Sequence, residues 1–276
     1  MFEKERLIRC ALAEDVGSGD ITTDSLIEPD RIGKAAIIAK EDLVLAGLEL
    51  AQSVFTTLDP KMAFETRYKD GDAVERGGRI ITVKGNLRSL LRGERCALNF
   101  LQRLSGIATL TRRFVERIEG TGVRLVDTRK TTPGWRWWEK YAVRMGGGRN
   151  HRFGLFDGVL IKDNHVVACG GIKEAMERIR QNLPTHMVRI EVEVSDLRGV
   201  EEAINSGADI IMLDNMDLAD ISEAVNLIAG RCLIEVSGGI NLDNIAALAE
   251  TGVDLISVGA LTHSASAVDI SMKLLR

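Results

Sequence analysis

The chain has 276 residues, of which 45% are hydrophobic, and its formal net charge at neutral pH is −4. This length and composition suffice for one large α/β domain or two smaller ones with a sizeable core. The acidic balance disfavours nucleic acid as a partner, the lack of a membrane-length apolar run disfavours a membrane protein, and four scattered cysteines disfavour disulfides and a zinc site.

The first part of the chain predicts a small α/β unit. Strands are expected at residues 32–40, 43–46 and 80–84, and Asp70-Gly71-Asp72 is typical of a hairpin turn. A long helix is expected at residues 87–119, with a break near Gly106. Residues 1–15 are charged and amphipathic and do not resemble an apolar signal segment, so we expect a cytoplasmic protein.

From about residue 120 onward, short β-branched runs alternate with amphipathic helical segments. Strands are expected at residues 123–126, 158–161, 188–194, 209–213, 232–236 and 254–258. Helices are expected near residues 137–145, 172–182, 196–206, 218–228 and 242–250. This alternation is typical of parallel βα units. Six strands, with room for a seventh, predict an open, irregular α/β barrel and not a full eightfold barrel.

These patterns predict two domains in an α/β protein. Residues 1–108 form the N-terminal domain and residues 109–264 form the barrel. Residues 265–276 are expected to form an amphipathic helix that returns to the N-terminal domain.

Cationic residues concentrate in the first half of the expected barrel. Arg129 and Lys130 follow the first barrel strand, His151 and Arg152 follow a run of three glycines, and Lys162 follows the second strand. In parallel α/β barrels, reactive residues gather at the carboxyl ends of the strands. In a chain that is acidic overall, this local concentration indicates a site for a small, multiply anionic substrate.

Carboxylates come from the middle strands of the expected barrel. Arg189, Glu191 and Glu193 alternate with apolar residues, so they share one face of the third strand, which we expect to face the barrel interior. Asp214 ends the fourth strand. Glu193 and Asp214 are suited to hold Mg²⁺ through water, or to bind the hydroxyl groups of a sugar.

Glycine-rich loops follow the last two strands. Ser237, Gly238 and Gly239 come after the fifth strand, and Gly259 and Ala260 come after the sixth. Backbone N–H groups in such loops bind a phosphate monoester without needing a formal charge, which predicts a phosphate site. The alternative is that these glycines only close the turns between strands and helices.

Lys162 has two functional interpretations. A desolvated amine at a strand end forms a Schiff base in barrel aldolases, whereas a protonated amine binds an anionic substrate. The neighbouring Asp163 favours the charged form and therefore the second interpretation. A surface lysine without function is the remaining alternative.

Together, these segments resemble the quinolinate phosphoribosyltransferase family. The resemblance covers nearly the whole chain and is carried by short motifs: Asp20-Ile21-Thr22-Thr23, Gly93-Glu94-Arg95-Cys96-Ala97-Leu98-Asn99, Asp127-Thr128-Arg129-Lys130-Thr131-Thr132-Pro133-Gly134, Gly146-Gly147-Gly148-Arg149-Asn150-His151-Arg152, Lys162-Asp163-Asn164-His165, Glu191-Val192-Glu193, Leu213-Asp214-Asn215 and Ser237-Gly238-Gly239. It implies an N-terminal α/β sandwich plus a seven-stranded open α/β barrel. It also implies transfer of phosphoribosyl from phosphoribosyl pyrophosphate to quinolinate with decarboxylation, the step that gives nicotinate mononucleotide in NAD biosynthesis.

The resemblance further implies how quinolinate is bound. Its two carboxylates would meet Arg129, His151, Arg152 and Lys162, with Arg95 supplied by a partner subunit. A dimer, or a larger assembly built from dimers, follows if Arg95 acts in trans.

Phosphoribosyl pyrophosphate has its own implied set of groups. Lys130 and Lys162 would meet it, and Glu193 and Asp214 would lie near the ribose hydroxyls and Mg²⁺. The loops at residues 237–239 and 259–260 would hold its 5′-phosphate.

Three other functions remain open. The first is that of a paralogue of the same fold, resembling the molybdenum-transport-associated ModD proteins, with a different acceptor. The second is a Schiff-base barrel lyase that uses Lys162, and the third is a non-catalytic anion-binding protein. The full set of cations favours the quinolinate transferase over the paralogue.

Overall fold

The computed structural model describes residues 2–183 and 187–276, and the chain divides into two compact units. The first unit consists of Met1–Arg112, Thr132–Gly147 and Ala265–Arg276, and the second consists of Arg113–Thr131 and Gly148–Ser264. Residues 132–147 therefore belong to the first unit, although the sequence analysis assigned them to the second domain.

Strands and helices alternate along much of the chain. The strands are β1 (Ile32–Ala39), β2 (Leu43–Val44), β3 (Ala63–Glu65), β4 (Ala73–Val74), β5 (Arg79–Asn86), β6 (Arg124–Val126), β7 (Val159–Ile161), β8 (Ile190–Val194), β9 (Ile210–Asp214), β10 (Leu233–Ser237), β11 (Leu255–Ser257) and β12 (Ile270–Leu275). The helices are α1 (Phe2–Val16), α2 (Ile21–Leu26), α3 (Leu48–Leu58), α4 (Leu87–Arg117), α5 (Arg136–Met145), α6 (Asp163–Cys169), α7 (Ile172–Asn182), α8 (Leu197–Asn205), α9 (Leu218–Ile228), α10 (Ile245–Ala249) and α11 (Ala260–His263).

The first unit is built on an antiparallel sheet in the order β12-β1-β5-β3, with β2 and β4 as a separate pair. The strands expected at residues 32–40, 43–46 and 80–84 are confirmed. Both faces of β1 are buried in its middle, because Ala35 and Ile37 on one face and Ala36 on the other are all inaccessible to solvent. Helix α3 adds Leu50 and Val54 to the same unit's core, so a sheet covered by helices is the architecture of this unit.

The last residues form a strand, so the expected C-terminal helix is wrong. Strand β12 pairs antiparallel with β1, with Ile270 opposite Ala39 and Leu275 opposite Lys34. Apolar residues in this segment fit both a helical and an alternating pattern. The segment forms a strand because the edge of β1 offers backbone hydrogen bonds to a partner strand.

Helix α4 is continuous through Gly106, where a break was expected. A Cβ atom at Gly106 would collide with the carbonyl oxygen of Ser266, and the backbone N–H of Val268 donates to the carbonyl of Gln102 at 3.2 Å. Glycine costs about 1 kcal/mol relative to alanine inside a helix. Here it allows the chain at residues 266–268 to lie directly against the helix, and the contact offsets that cost.

The second unit contains a parallel sheet in the order β6-β11-β10-β9-β8-β7. All six barrel strands expected from the sequence are confirmed. In the part of the chain that the structure describes, this sheet has six strands and not seven, and it is open between β6 and β7. A single parallel bridge between Val126 and Arg149 lies beside β6.

Two helices of the second unit, α8 and α9, begin at aspartate side-chain caps. Asp196 accepts a hydrogen bond from the backbone N–H of Gly199 at 2.7 Å to start α8, and Asp217 accepts one from Asp220 at 2.9 Å to start α9. Such caps satisfy N–H groups that a helix leaves unpaired at its N-terminus. They fix where each strand-to-helix connection ends, so the strand ends of the sheet are held in place.

No helix in the described ranges, residues 2–183 and 187–276, combines the length and apolar character needed to cross a bilayer.

Candidate active site

A cavity of about 660 Å³ opens at the carboxyl ends of strands β6 to β11. Parallel strands bring their carboxyl ends to the same edge, so residues far apart in sequence meet there. The residues predicted from the sequence that line this cavity are Arg129, Lys130, His151, Arg152, Lys162, Glu193, Asp214, Ser237, Gly238, Gly239, Gly259 and Ala260. The structure thus brings together every predicted site residue except Arg95.

Arg95 lies on helix α4 of the first unit, where it is exposed. It is not among the residues that line the cavity in the described chain. Its proposed contact with substrate therefore depends on the second subunit that the family resemblance implies.

Lys130 is held next to the last glycine loop. The Thr262 hydroxyl donates to the Lys130 carbonyl at 2.7 Å, and the backbone N–H of Lys130 donates to the Thr128 hydroxyl at 3.1 Å. A Cβ atom at Gly259 would lie 3.0 Å from Cδ of Lys130, so the glycine gives this side chain room to pass close to the loop. The backbone of Lys130 is therefore held beside the predicted phosphate loop, and its side chain passes Gly259.

Arg152 is a half-buried cation with an unused donor. Its Nη1 donates to the carbonyl of Gly158 at 2.9 Å, whereas its Nε is buried and has no hydrogen-bond partner among the described residues. Burial first, and then the positive charge of Arg129, lower the pKa of Arg152 below its usual range. An anionic ligand would satisfy the free donor and offset the repulsion between the two guanidinium groups.

The carboxylate side of the cavity is formed by the ends of β8 and β9. Glu193 accepts a hydrogen bond from the ammonium group of Lys162, and Asp214 accepts one from the side-chain amide of Asn215 at 2.8 Å. Carboxylate oxygens are the ligands that Mg²⁺ prefers, and both side chains line the cavity. The chemistry of this pair therefore fits a magnesium ion.

Asp127 holds the segment that carries His151 and Arg152. Its carboxylate is fully buried at the end of β6 and accepts hydrogen bonds from the side-chain amide of Asn150 at 2.6 Å and from the backbone N–H of His151 at 2.9 Å. A buried carboxylate with such donors fixes the geometry of the backbone around it. The segment at residues 150–152 is thus fastened to the first strand of the sheet.

The sheet interior contains a cluster that the sequence analysis did not identify. His151 Nε2 lies 3.0 Å from Oε2 of Glu191 and 3.6 Å from Oε2 of Glu235. Both carboxylates are buried, and burial, followed by the negative charge of Glu191, raises the pKa of Glu235 to about 7. The sequence does contain one indication of this cluster: Glu235 lies in the middle of the otherwise apolar strand Leu233–Ser237, and a buried glutamate needs a polar partner inside the fold.

This cluster also separates two cavities. A second cavity of about 600 Å³ lies at the amino ends of the strands, where Arg124 and Arg189 line it. His151, Arg152 and Glu235 line both cavities. The cluster therefore forms the floor of the first cavity.

The two glycine-rich loops present backbone N–H groups to the first cavity. Gly238 and Gly239 have φ angles of +93° and +61°, a left-handed conformation that favours glycine. No hydrogen bond within the described chain uses the N–H groups of Gly238, Gly239 or Gly259. Helix α10 begins only at Ile245, so these N–H groups belong to the loop and not to a helix N-terminus.

Two family models together match nearly the whole chain. Residues 20–105 match the quinolinate phosphoribosyl transferase N-terminal domain, and residues 107–273 match the C-terminal domain. The chain belongs to the quinolinate phosphoribosyltransferase family. This family consists of pentosyltransferases, and the site described above lies in the part that matches its C-terminal domain.

Individual members of the quinolinate phosphoribosyltransferase family are similar over most of their length. A probable nicotinate-nucleotide pyrophosphorylase (carboxylating) from Bacillus subtilis is 45% identical, covering 98% of this chain and 93% of the relative. A decarboxylating quinolinate phosphoribosyltransferase from Nicotiana tabacum is 40% identical over 99% of this chain and 82% of its own. The crystal structure of NadC from Streptococcus pyogenes superposes with a TM-score of 0.96 at 45% identity, covering 99% and 97% of the two chains.

Proposed function

We infer that the protein transfers the phosphoribosyl group of phosphoribosyl pyrophosphate to quinolinate and releases carbon dioxide, giving nicotinate mononucleotide and pyrophosphate for NAD biosynthesis. Membership of the family and the names of the full-length relatives support this activity. The observation that carries it is a single cavity with cations on one side, carboxylates on another and unused loop N–H groups at a third.

Quinolinate binds on the cationic side in this proposal. Arg129, Arg152 and Lys162 meet its two ring carboxylates, His151 lies on the cavity floor beneath them, and Arg95 of a second subunit completes the set. Guanidinium groups match planar carboxylates with two parallel hydrogen bonds, which orients the ring as well as holding it. The unpartnered Nε of Arg152 supports this assignment.

Phosphoribosyl pyrophosphate binds on the other sides. Lys130 and Lys162 meet the pyrophosphate, and Glu193 and Asp214 meet the ribose hydroxyls. The loops at residues 237–239 and 259–260 hold the 5′-phosphate through backbone N–H groups. The anchoring of Lys130 beside Gly259 supports a phosphate-rich ligand that spans both positions.

The reaction requires both positively and negatively charged groups in the same cavity. When the bond between the anomeric carbon and pyrophosphate breaks, positive charge develops on the sugar and negative charge on the leaving group, and nearby carboxylates and lysines stabilise each. The pyridine nitrogen then bonds to the anomeric carbon. The resulting pyridinium stabilises the electron pair left on C2 when carbon dioxide departs, and a proton takes the place of the lost carboxylate.

A magnesium ion is part of the proposal. Glu193 and Asp214 would hold it, directly or through water, and it would neutralise charge on the pyrophosphate. The oxygen donors of this pair and their place in the cavity support magnesium over a softer metal.

We also propose that the protein works in the cytoplasm as a dimer or as an assembly built from dimers. Its four cysteines are free, which fits a reducing compartment. The exposure of Arg95 leaves its guanidinium group available to the site of a second copy, which supports such an assembly.

The test is to combine purified protein with quinolinate, phosphoribosyl pyrophosphate and Mg²⁺ and to follow nicotinate mononucleotide and carbon dioxide together. We expect both products in equal amounts, with loss of both when EDTA removes the metal. The Glu223→Gln variant, at an exposed position on α9, serves as the matched control and should behave as the unchanged protein.

Other outcomes separate the remaining functions. Consumption of phosphoribosyl pyrophosphate with another ring carboxylate, but not with quinolinate, would indicate the paralogue with a changed acceptor. A borohydride-trapped adduct on Lys162 would indicate Schiff-base chemistry. Binding of phosphoribosyl pyrophosphate without turnover of any acceptor would indicate a non-catalytic protein.

A further inference from the structure

The two ring nitrogens of His151 have partners of different kinds. Nδ1 accepts a hydrogen bond from the backbone N–H of Arg152, with 2.8 Å between the nitrogens. Nε2 faces the carboxylates of Glu191 at 3.0 Å and Glu235 at 3.6 Å. A backbone N–H can only donate, so Nδ1 must carry a lone pair, and the proton of the ring then resides on Nε2.

We infer that His151 acts as a neutral ring whose proton is held on Nε2 by Glu191 and Glu235, and that it positions Arg152 instead of serving as a cation for the substrate. This inference deepens the proposed function, because it rests on quinolinate being bound by Arg129, Arg152 and Lys162. Glu191 and Glu235 then become positioning residues that act through His151.

The surroundings of the ring favour this arrangement. Glu191 and Glu235, from the interior faces of β8 and β10, are 4% and 0% exposed, so each loses most of its hydration on folding. Donation of Nε2–H to Glu191 compensates part of that loss, and Glu235, at 3.6 Å, contributes through its charge and not through a hydrogen bond. On the other side, Nδ1 and the carboxylate of Asp127 accept the N–H groups of residues 152 and 151 in succession.

A metal ion is the alternative occupant of this cluster, because the ligand atoms of His151, Glu191 and Glu235 all lie within 4.8 Å of one another. A histidine that binds a metal through one nitrogen normally donates a hydrogen bond from the other. Nδ1 of His151 accepts one instead. The observed bond therefore favours a proton on Nε2 over a metal.

The consequence concerns the placement of one guanidinium group. The Arg152 backbone is held by the His151 ring, and its side chain is held by the Gly158 carbonyl at 2.9 Å. Two points of attachment restrict the positions that the guanidinium group can take in the cavity. Loss of the hydrogen bond to the His151 ring would leave the guanidinium group of Arg152 charged but poorly placed. This weakens binding of a carboxylate more than it changes the chemical step.

The first experiment observes the proton directly. Long-range ¹⁵N–¹H correlation spectra of protein labelled at its four histidines would be recorded near neutral pH without substrate, and the signals of His151 assigned from their absence in His151→Gln. We expect an unprotonated Nδ1 and a protonated Nε2, unchanged by added Zn²⁺. Protons on both nitrogens, a proton on Nδ1, or a zinc-dependent shift of Nε2 would each overturn the inference, whatever the substrate of the enzyme.

The second experiment uses a pair of matched variants. In His151→Asn the amide oxygen can take the place of Nδ1 and still accept the Arg152 N–H, whereas in His151→Gln the amide lies near Nε2 and that acceptor is lost. We expect His151→Asn to keep the KM for quinolinate within about threefold and His151→Gln to raise it about tenfold, with the KM for phosphoribosyl pyrophosphate unchanged in both. Large and equal increases in both variants, with native circular dichroism, are what the loss of a substrate-binding cation predicts and would overturn the positioning role.

Discussion

The ammonium group of Lys162 donates a hydrogen bond to Oε2 of Glu193, which joins the carboxyl ends of neighbouring strands β7 and β8. The pair places opposite charges in contact within the cavity that also contains Asp214. An ammonium group binds anions but has no lone pair with which to act as a nucleophile. This contact therefore supports the anion-binding interpretation of Lys162 over the Schiff-base interpretation.

The activity of Lys162 variants should depend on whether the new side chain carries a positive charge. We expect Lys162→Arg to retain at least about ten times the kcat/KM of Lys162→Met, because arginine preserves the positive charge and the ion pair with Glu193. Steady-state kinetics with both substrates would check this. Equal inactivity of the two variants, together with a mass increase on Lys162 after borohydride treatment, would instead indicate an imine.

Arg152 and Lys130 should affect different kinetic constants. We expect Arg152→Ala to raise the KM for quinolinate about tenfold to a hundredfold with a smaller change in kcat, because a charged hydrogen-bond donor to a carboxylate is lost. Lys130→Ala should lower kcat about a hundredfold, because charge on the leaving pyrophosphate is no longer stabilised. Unchanged kinetics in both variants would refute the assignment of the cationic side.

Glu235 should make stability depend on pH. Burial raises its pKa from 4.5 to about 7, so between these values the folded protein keeps a proton that the unfolded chain releases, and stability falls as the pH rises. The Glu235→Gln variant has no ionisable group at this position, so this decrease in stability with rising pH is absent. We expect the variant to gain stability over the unchanged protein progressively from pH 5 to pH 7, reaching on the order of 3 kcal/mol and then levelling off.

Urea unfolding followed by circular dichroism at several pH values measures this gain. The exposed Glu223→Gln variant is the control, and its difference from the unchanged protein should not vary with pH. A difference for Glu235→Gln that stays constant from pH 5 to pH 8 would show that Glu235 does not take up a proton on folding.

Gly106 should be far less tolerant of alanine than another glycine of the same helix. At Gly106 a Cβ atom meets the backbone of Ser266, which cannot move without moving the chain, and we expect Gly106→Ala to cost about 2 kcal/mol or more. At Gly93 a Cβ atom would meet only the side chains of Phe55 and Leu58, at 2.9 Å and 3.1 Å, and no backbone, so we expect a smaller cost than at Gly106. Thermal unfolding of both variants tests this, and equal melting temperatures would contradict the close approach.

Much of the second unit could be predicted from local sequence, because β-branched runs and amphipathic helices have different periods. The same reasoning placed Lys162, Glu193 and Asp214 at strand ends, and these three line one cavity. Strand ends can be read along the chain without knowing which strands are neighbours, and parallel pairing then brings them together.

The errors lie where a distant partner decides the structure. Within residues 265–276, Ile270–Leu275 form a strand and not a helix because β1 offers an edge, and helix α4 continues through Gly106 because residues 266–268 pack against it. The contact of His151 with Glu191 and Glu235 joins residues 40 and 84 positions apart, and no local pattern contains it. A glutamate within an apolar strand indicates that a polar partner is needed, but only the three-dimensional structure shows that this partner is His151.

The cavity is lined by side-chain groups and by main-chain N–H groups, and a mutation affects these two kinds of group differently. In the proposed function, the groups that bind the acceptor are side chains such as Arg129 and Arg152, each of which a single codon change replaces. At the loop of Gly238 and Gly239 they are main-chain N–H groups, which every residue but proline supplies. A substitution there disturbs them through the left-handed backbone and, at Gly238, through a collision of the new Cβ atom with Asn215. Over evolutionary time, a chain of this design can exchange its acceptor while the recognition of the other end stays in place.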